Sequence, residues 1–168
     1  NKIGSYDRSE SGYIYDTLVR DGNFIVQSSI MVRADVFEIV GGINSSLNYC
    51  PDYDLILKVT KNYHTICVNS KLVSYRVHEQ SITSLKEYDN SIEKIDFLLD
   101  LSEESSLNMK TKVYLTFNVS YILTTACLKL FLKKDYSLIL KTIQAYPLYF
   151  GLFPFVLPSI IINRMKLT

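Results

Sequence analysis

"FIVQSSIMVRADVFEIVGGINSSLNYCPDYDLILKVTKNYHTICVNSKLVSYRVHEQSIT", residues 24–83, decides the fold that we expect for this chain. Residues 24–32 form a continuous apolar run with the length and the β-branched content of a buried strand. Two shorter runs of the same kind follow at residues 65–69 and 71–77. The stretch therefore predicts three strands.

Helical patterns separate these strands and continue after them. One predicted helix stops at Gly41-Gly42, and the next begins beside Asp52 and Asp54, whose carboxylates complement a helix dipole. The alternation predicts an α/β fold, a sheet with flanking helices, over residues 1–84. Residues 85–168 have helical periodicity and are expected to form a separate helical extension.

Three helices are predicted in that extension, over residues 87–104, 109–134 and 136–145. The first is acidic and amphipathic. The second carries an apolar stripe made of Val113, Phe117, Tyr121, Leu128 and Phe131.

Composition and charge exclude several classes of protein. The 168 residues are 48% hydrophobic and 21% charged, which describes a foldable chain of one domain, or one domain with an appendage. Three cysteines, far apart in the sequence, argue against a disulfide framework or a zinc site and suit a reducing compartment. The net charge of +1 hides a basic third, because residues 105–168 carry eight Lys and Arg residues against Asp135 alone. These lysines alternate with aliphatic residues and form no recognition module, so we expect no nucleic-acid partner.

The C-terminal segment 142–163 carries no charge and is long enough to cross a bilayer. Three prolines and a glycine would leave backbone groups unsatisfied in lipid, so we do not expect it to span the membrane. Apolar residues beside Lys133, Lys134, Lys141 and Arg164 suit a segment that lies in the interface of an anionic membrane. A tail packed onto its own domain, or onto a dimer partner, is the alternative.

Asp52 and His78 are the candidate chemical groups. Taken singly, a carboxylate at a helix start is a cap, and an imidazole at a strand end is a surface group. Together they can face one cleft at the carboxyl edge of a sheet, where ligands bind in open α/β folds. A carboxylate base and a divalent cation suit sugar transfer from a nucleoside diphosphate, because the acceptor hydroxyl loses a proton and the diphosphate gains negative charge.

The stretch 24–83 resembles the second half of the catalytic domain of glycosyltransferase family 2, the inverting enzymes of GT-A fold. The shared order is a serine-containing strand, an arginine, a short helix ending in Gly-Gly, an aspartate before a leucine-bearing helix, and a strand ending "YRVH" at residues 75–78. The resemblance implies a partial GT-A, Rossmann-like sheet with flanking helices, followed by a helical C-terminal region.

The resemblance also implies roles for individual residues. Asp52 falls on the general base of the family. His78 falls on the histidine that completes the metal–diphosphate site, which would take Mg²⁺ or Mn²⁺. Arg76 and Ser81 fall on flanking positions that support the diphosphate, and Asp54 on a helix-start aspartate of structural role.

This chain differs from the family pattern at two places and lacks one part of the family's catalytic domain. Pro51 stands where the family has glutamate, and Ile43-Asn44 where it has Phe-Asp. Pro51 is a rigid entry to the helix and leaves Asp52 available, so activity is expected to survive. The donor-binding half of the family, with its DxD-type motif, has no counterpart before Asp52. We therefore expect a fragment of a longer enzyme, inactive alone for lack of that half.

The expected function is transfer of a sugar from a nucleotide-sugar donor to a glycan or lipid-linked acceptor, with inversion, in bacterial cell-surface polysaccharide synthesis. We expect a cytoplasmic protein, peripheral on the inner face of the cell membrane, that can pair with a second copy through its helical region. The alternative is a non-catalytic membrane-associated or assembly module.

Overall fold

The computed structural model describes residues 9–74, 85–105 and 107–150 and divides the chain into an N-terminal unit, Asn1–Ser81, and a helical unit, Ile82–Thr168. The described residues form seven α-helices and a short 3-10 helix at Gln27–Ser29. The α-helices are α1 (Tyr15–Asp21), α2 (Ala34–Ile39), α3 (Pro51–Asn62), α4 (Glu87–Glu103), α5 (Met109–Leu132), α6 (Tyr136–Ala145) and α7 (Pro147–Phe150).

The core of the N-terminal unit lies where α1 packs on α3. Tyr53 of α3 is only 1% exposed, and its hydroxyl donates to the carbonyl oxygen of Leu18 in α1 at 2.8 Å. Burial raises the pKa of the Tyr53 phenol, which therefore keeps its proton and its role as a donor. Other buried residues of this unit are Ile14, Val19, Val36, Cys50, Ile56 and Leu57.

Both helices predicted in residues 33–63 are confirmed. Helix α2 ends at two glycines with left-handed φ angles, 82° at Gly41 and 66° at Gly42. The Gly42 N–H donates to the carbonyl oxygen of Phe37 at 2.9 Å, which closes the helix in a Schellman-type turn. Helix α3 begins at Pro51. Proline lacks a backbone N–H, but the first residue of a helix donates no intrahelical hydrogen bond, so none is lost there.

The predicted α/β fold, with its partial GT-A sheet, was wrong. Within residues 9–74, 85–105 and 107–150 the structure is helical and contains no strand. The β-pairing seen there is one isolated antiparallel bridge between Gly12 and Thr65. Residues 65–69 make no ladder beyond it, and residues 71–74 have no regular secondary structure. Residues 75–77 of the third predicted strand lie outside the described residues.

Local hydrogen bonds explain the failure of the first strand. The Asn23 side chain accepts a bond from the Ile25 N–H at 3.0 Å, and the Ser29 hydroxyl donates to the Val26 carbonyl oxygen at 2.7 Å. These bonds compete with a β-ladder and curl the run into the 3-10 turn. Met31, expected inside a sheet, is 98% exposed. The apolar run had strand composition, but composition cannot supply the neighbouring strands that stabilise a sheet.

The helical unit is built around α5, which packs against α4, α6 and α7. All three helices predicted for this region are confirmed, with α4, α5 and α6 within two residues of the expected ends. The core is apolar and comes mainly from α4 and α5. It contains Ile95, Leu98, Leu115, Val119, Leu123, Cys127 and Leu130.

Helix α5 faces its core with a different stripe from the one predicted. Val113, Phe117 and Phe131 of the predicted stripe are exposed, whereas Leu115 and Val119 are buried. Both sets have helical spacing, because α5 is apolar around most of its circumference. Periodicity therefore located the helix but not its buried face.

The ends of α5 are fixed by specific hydrogen bonds. At its start, the Asn108 side chain accepts from the Thr111 N–H at 2.8 Å. At its end, Lys134 has a left-handed φ of 60°, and the Asp135 N–H donates to the Leu130 carbonyl oxygen at 3.0 Å. This is a Schellman-type turn with lysine where glycine is usual. The Asp135 carboxylate then accepts from the Leu138 N–H at 3.1 Å and caps α6, so the connection between the two helices is short and well defined.

The three cysteines form no disulfide bond and lie in different surroundings. Cys50 and Cys127 are buried, and Cys67 is half-buried. Burial raises the pKa of the Cys127 thiol, which keeps it in the protonated and less reactive form.

Candidate functional site

Asp52 is the second residue of α3 and lies partly buried at the start of that helix. One carboxylate oxygen accepts from the Tyr53 N–H at 2.8 Å, and the other accepts from the Asn23 side-chain amide at 3.3 Å. The Cys50 N-cap makes no side-chain capping bond, so Asp52 satisfies a helix-end donor in its place. The sequence pattern did not indicate the contact between Asp52 and Asn23, because Asn23 directly precedes residues 24–32, which were predicted to form a strand.

Asp54 lies two positions further along α3 and is buried, 7% exposed. Its carboxylate forms an ion pair with Lys58 one turn later, with 2.6 Å between Oδ2 and Nζ. A buried, ion-paired carboxylate is in keeping with the structural role expected of Asp54, which stays a prediction. The Asp54 side chain is thus directed to its own helix.

The other predicted site residues, Arg76, His78 and Ser81, lie outside the described residues. Their roles stay predictions, and so does the Mg²⁺ or Mn²⁺ site assigned to His78. Within the described ranges, no three His, Cys, Asp or Glu side chains come together as a metal site. Asp52, with an amide and a backbone N–H as its partners, does not form a cation site by itself.

A second candidate site lies at the junction of α5 and α6. We define the α5–α6 corner as the side chains of Phe131, Leu132, Lys133, Lys134, Tyr136 and Leu140. The four apolar or aromatic members are between 54% and 69% exposed. The rings of Phe131 and Tyr136 meet edge to face, with 6.0 Å between their centroids. The corner thus exposes a cluster of large apolar side chains next to two lysines.

The lysines near this corner differ in their partners. Glu87 of α4 forms ion pairs with Lys129, at hydrogen-bonding distance, and with Lys133, at 3.9 Å. Lys134 and Lys141 form no ion pair with any side chain in the described part of the protein. Their charges are therefore the ones open to an external anion.

Two tyrosine hydroxyls link α6 to α4. Tyr88 belongs to α4 and contacts α6, whereas Tyr146 directly follows α6 and contacts α4. The Tyr88 hydroxyl lies 2.9 Å from the Thr142 hydroxyl, and Thr142 donates to the Leu138 carbonyl oxygen at 2.7 Å. The Tyr146 hydroxyl donates to the Asp96 carboxylate at 2.6 Å. Burial, followed by this bond to Asp96, raises the pKa of the Tyr146 phenol, so it remains a donor. These contacts hold α6 in one position within the helical unit.

No protein-family model, no curated protein and no solved structure matches this chain. The resemblance to glycosyltransferase family 2 is therefore not supported, and the lack of a sheet in the described residues contradicts its GT-A fold. The ordered motifs that carried the resemblance are short, and the last of them, "YRVH" at residues 75–78, lies outside the described part of the chain. The recognition was wrong.

One helix of the described residues is long and apolar enough to cross a membrane. It is α5, Met109–Leu132, and 44% of its apolar window is buried inside the protein. The core helix of a soluble protein passes the same test. Helix α5 therefore permits membrane association without requiring it. The interfacial segment predicted over residues 142–163 is described only as far as residue 150.

Proposed function

We propose that the helical unit attaches this protein peripherally to an anionic membrane surface, which in the cell would be the inner face of the cell membrane. The observation that carries the proposal is the composition of the α5–α6 corner, where exposed apolar side chains lie beside lysines. A membrane interface removes the apolar groups from water and places lipid phosphates beside the lysines.

The expected strength follows from the exposed side chains. Full burial of one large apolar side chain contributes about 1.5–3 kcal/mol, so the exposed part of each corner member contributes about 1 kcal/mol. Each lysine near an anionic surface adds about 1 kcal/mol. Phe131, Leu132, Tyr136 and Leu140, with Lys134 and Lys141, together give about 6 kcal/mol, a partition factor of roughly 10⁴. This predicts reversible attachment.

The packing of α5 favours attachment to the surface over crossing of the bilayer. Its inner side contributes the core residues Leu115, Val119 and Leu123 and packs on α4. The same side buries the hydroxyls of Ser120 and Thr124. Insertion across the bilayer would separate α5 from the acidic α4, lose this core and expose those hydroxyls to lipid.

Sedimentation with vesicles tests the proposal. The full chain is mixed with vesicles of phosphatidylcholine alone, or with 30 mol% phosphatidylglycerol, at low and at high salt. We expect binding to the anionic vesicles, release by salt, and little binding to the neutral ones. Absence of binding to anionic vesicles at low salt would overturn the proposal. Resistance to both salt and carbonate extraction would instead indicate a spanning helix and would also overturn it.

A second candidate function is sugar transfer with Asp52 as the general base, and we propose it on the position of that carboxylate alone. Asp52 is only partly buried, and the Asn23 amide orients one of its oxygens. A fixed, accessible carboxylate is what proton removal from an acceptor hydroxyl requires.

Labelled nucleotide sugars test this second candidate. With UDP-glucose and Mn²⁺ as probes, Asp52→Asn is expected to lower turnover about 10²-fold or more. The control is Asp35→Asn, which changes an exposed aspartate that is paired with Arg33. Equal turnover by the Asp52→Asn and wild-type chains, each measured with the donor-binding half present, would reject the assignment.

A further inference from the structure

We infer that α6 docks on the membrane with one preformed face, made of Tyr136, Leu140 and Ile143, and that Lys134 and Lys141 contact the lipid phosphates beside it. This inference rests on the proposed membrane attachment and names the surface that makes it. The occupant is an anionic lipid interface. Three properties of this face support an anionic lipid interface as its partner: its geometry, its rigidity and its charge.

The outward side of α6 has an apolar stripe that does not face the core. Tyr136, Leu140 and Ile143 follow the spacing i, i+4, i+7 and are 54%, 61% and 36% exposed. At 3.6 residues per turn, these positions fall within about 60° of the helix circumference. Thr142, on the inward side, is 1% exposed. Helix α6 therefore has an inward side marked by the buried Thr142 and a separate apolar side that is open to a partner, and the exposed polar residue Gln144 borders the outer stripe.

This face is fixed before any partner binds. The Asp135 cap sets the start of α6, and the hydrogen bonds of Thr142 with Tyr88 and of Tyr146 with Asp96 hold its inward side near α4. Most amphipathic membrane segments become helical only at the interface and lose binding free energy to that ordering. Helix α6 avoids this cost, because its stripe is already assembled in the free protein.

The charge of the surroundings selects the occupant. Between residues 107 and 150 the chain carries six lysines and Asp135 as its acid. Lysines therefore outnumber the acid six to one in this part of the chain, and the other acidic residues of the helical unit come from α4 and its flanks. A second copy docked on the same face by two-fold symmetry would set these lysines against their own counterparts, which is unfavourable. An anionic lipid surface complements both the stripe and the lysines.

Single tryptophans can test which side of α6 meets the lipid, because the natural chain has none. Leu140→Trp places the probe in the stripe, and Ala145→Trp places a matched probe at an exposed position of the same helix, about 140° around the circumference from Leu140. Both variants are titrated with anionic vesicles that contain brominated lipids. We expect at least threefold stronger quenching and a larger blue shift for Leu140→Trp. Far-UV circular dichroism should not gain helical signal on binding.

Every outcome decides between the alternatives. Sedimentation with vesicles but equal quenching of both probes, or stronger quenching at Ala145→Trp, would refute the α6 face and leave the membrane attachment standing. Failure of both variants and of the natural chain to sediment would reject the attachment itself. A blue shift of Leu140→Trp that rises with protein concentration without vesicles would identify a second copy as the occupant. A gain of helix on binding would refute the preformed face.

Discussion

Replacing Lys134 by glycine should stabilise the helical unit while weakening its membrane attachment. Lys134 has a φ of 60°, a conformation that costs a non-glycine residue roughly 1–2 kcal/mol. Glycine removes this cost but gives the unfolded chain more freedom, which offsets about 0.4–1 kcal/mol. The expected net gain in unfolding free energy is about 0.5–1 kcal/mol. The variant also loses one cation from the α5–α6 corner, which should weaken vesicle binding about fivefold.

Lys133→Gly is the matched control, because it removes the same charge one position earlier. Lys133 has ordinary right-handed helical angles, φ −82° and ψ −2°, where glycine costs about 0.5–1 kcal/mol. Its ion pair with Glu87 is long and exposed and is worth little. Urea unfolding of the full chains, followed by circular dichroism at 222 nm, should thus separate the two variants by about 1–2 kcal/mol. Equal destabilisation by both would refute the left-handed turn.

Three further changes test the helical unit and the buried phenols. Leu123→Ala should lower the unfolding free energy by about 2–5 kcal/mol, whereas Phe117→Ala on the exposed side of the same helix should change it by less than about 0.5 kcal/mol. Urea titrations of the two variants measure both changes, and equal losses of unfolding free energy would contradict the orientation of α5. Asn108→Ala should cost about 1 kcal/mol through the lost cap, with Asn108→Ser recovering most of it; no difference between the two would count against the cap. The folded-state phenol pKa values of Tyr53 and Tyr146 are raised, so their contribution to stability is complete below about pH 10 and declines as pH rises above that toward the folded pKa. Tyr53→Phe/Tyr146→Phe should therefore flatten the loss of stability above about pH 10, measured by urea titration at each pH.

The helices could be predicted from the sequence because their signals are local. Periodic apolar residues, Asn108 and Asp135 as caps, and Gly41-Gly42 as a stop all act within a few residues of the elements they bound. The sheet could not be predicted in this way, because a strand is stable only beside another strand and no local pattern shows whether that second strand is present. Asn23 and Ser29 are the local signal against a strand, because their side chains form hydrogen bonds to nearby backbone groups and compete with strand pairing.

The candidate sites were predictable to different degrees. Asp52 was placed correctly at a helix start, but its partner Asn23 depends on a contact 29 positions apart in the sequence. The basic and apolar character near Lys133 and Lys134 was visible in the composition. Which apolar residues face outward was not visible, because α5 and α6 carry apolar residues on both their buried and their exposed sides.

The three cysteines, none of which is in a disulfide bond, allow the opening of each unit to be followed by thiol labelling. Cys67, half-buried in the N-terminal unit, should react promptly with a thiol reagent, whereas Cys50 in the same unit reacts only when that core opens. Cys127 reports on the helical unit, since α5 must leave its neighbours before the thiol is reached and ionised. Pulse labelling followed by peptide mass spectrometry would thus give two opening free energies from one unmodified sample. Vesicles should slow the labelling of Cys127 and leave Cys50 unchanged, because a ligand stabilises only the unit that it binds.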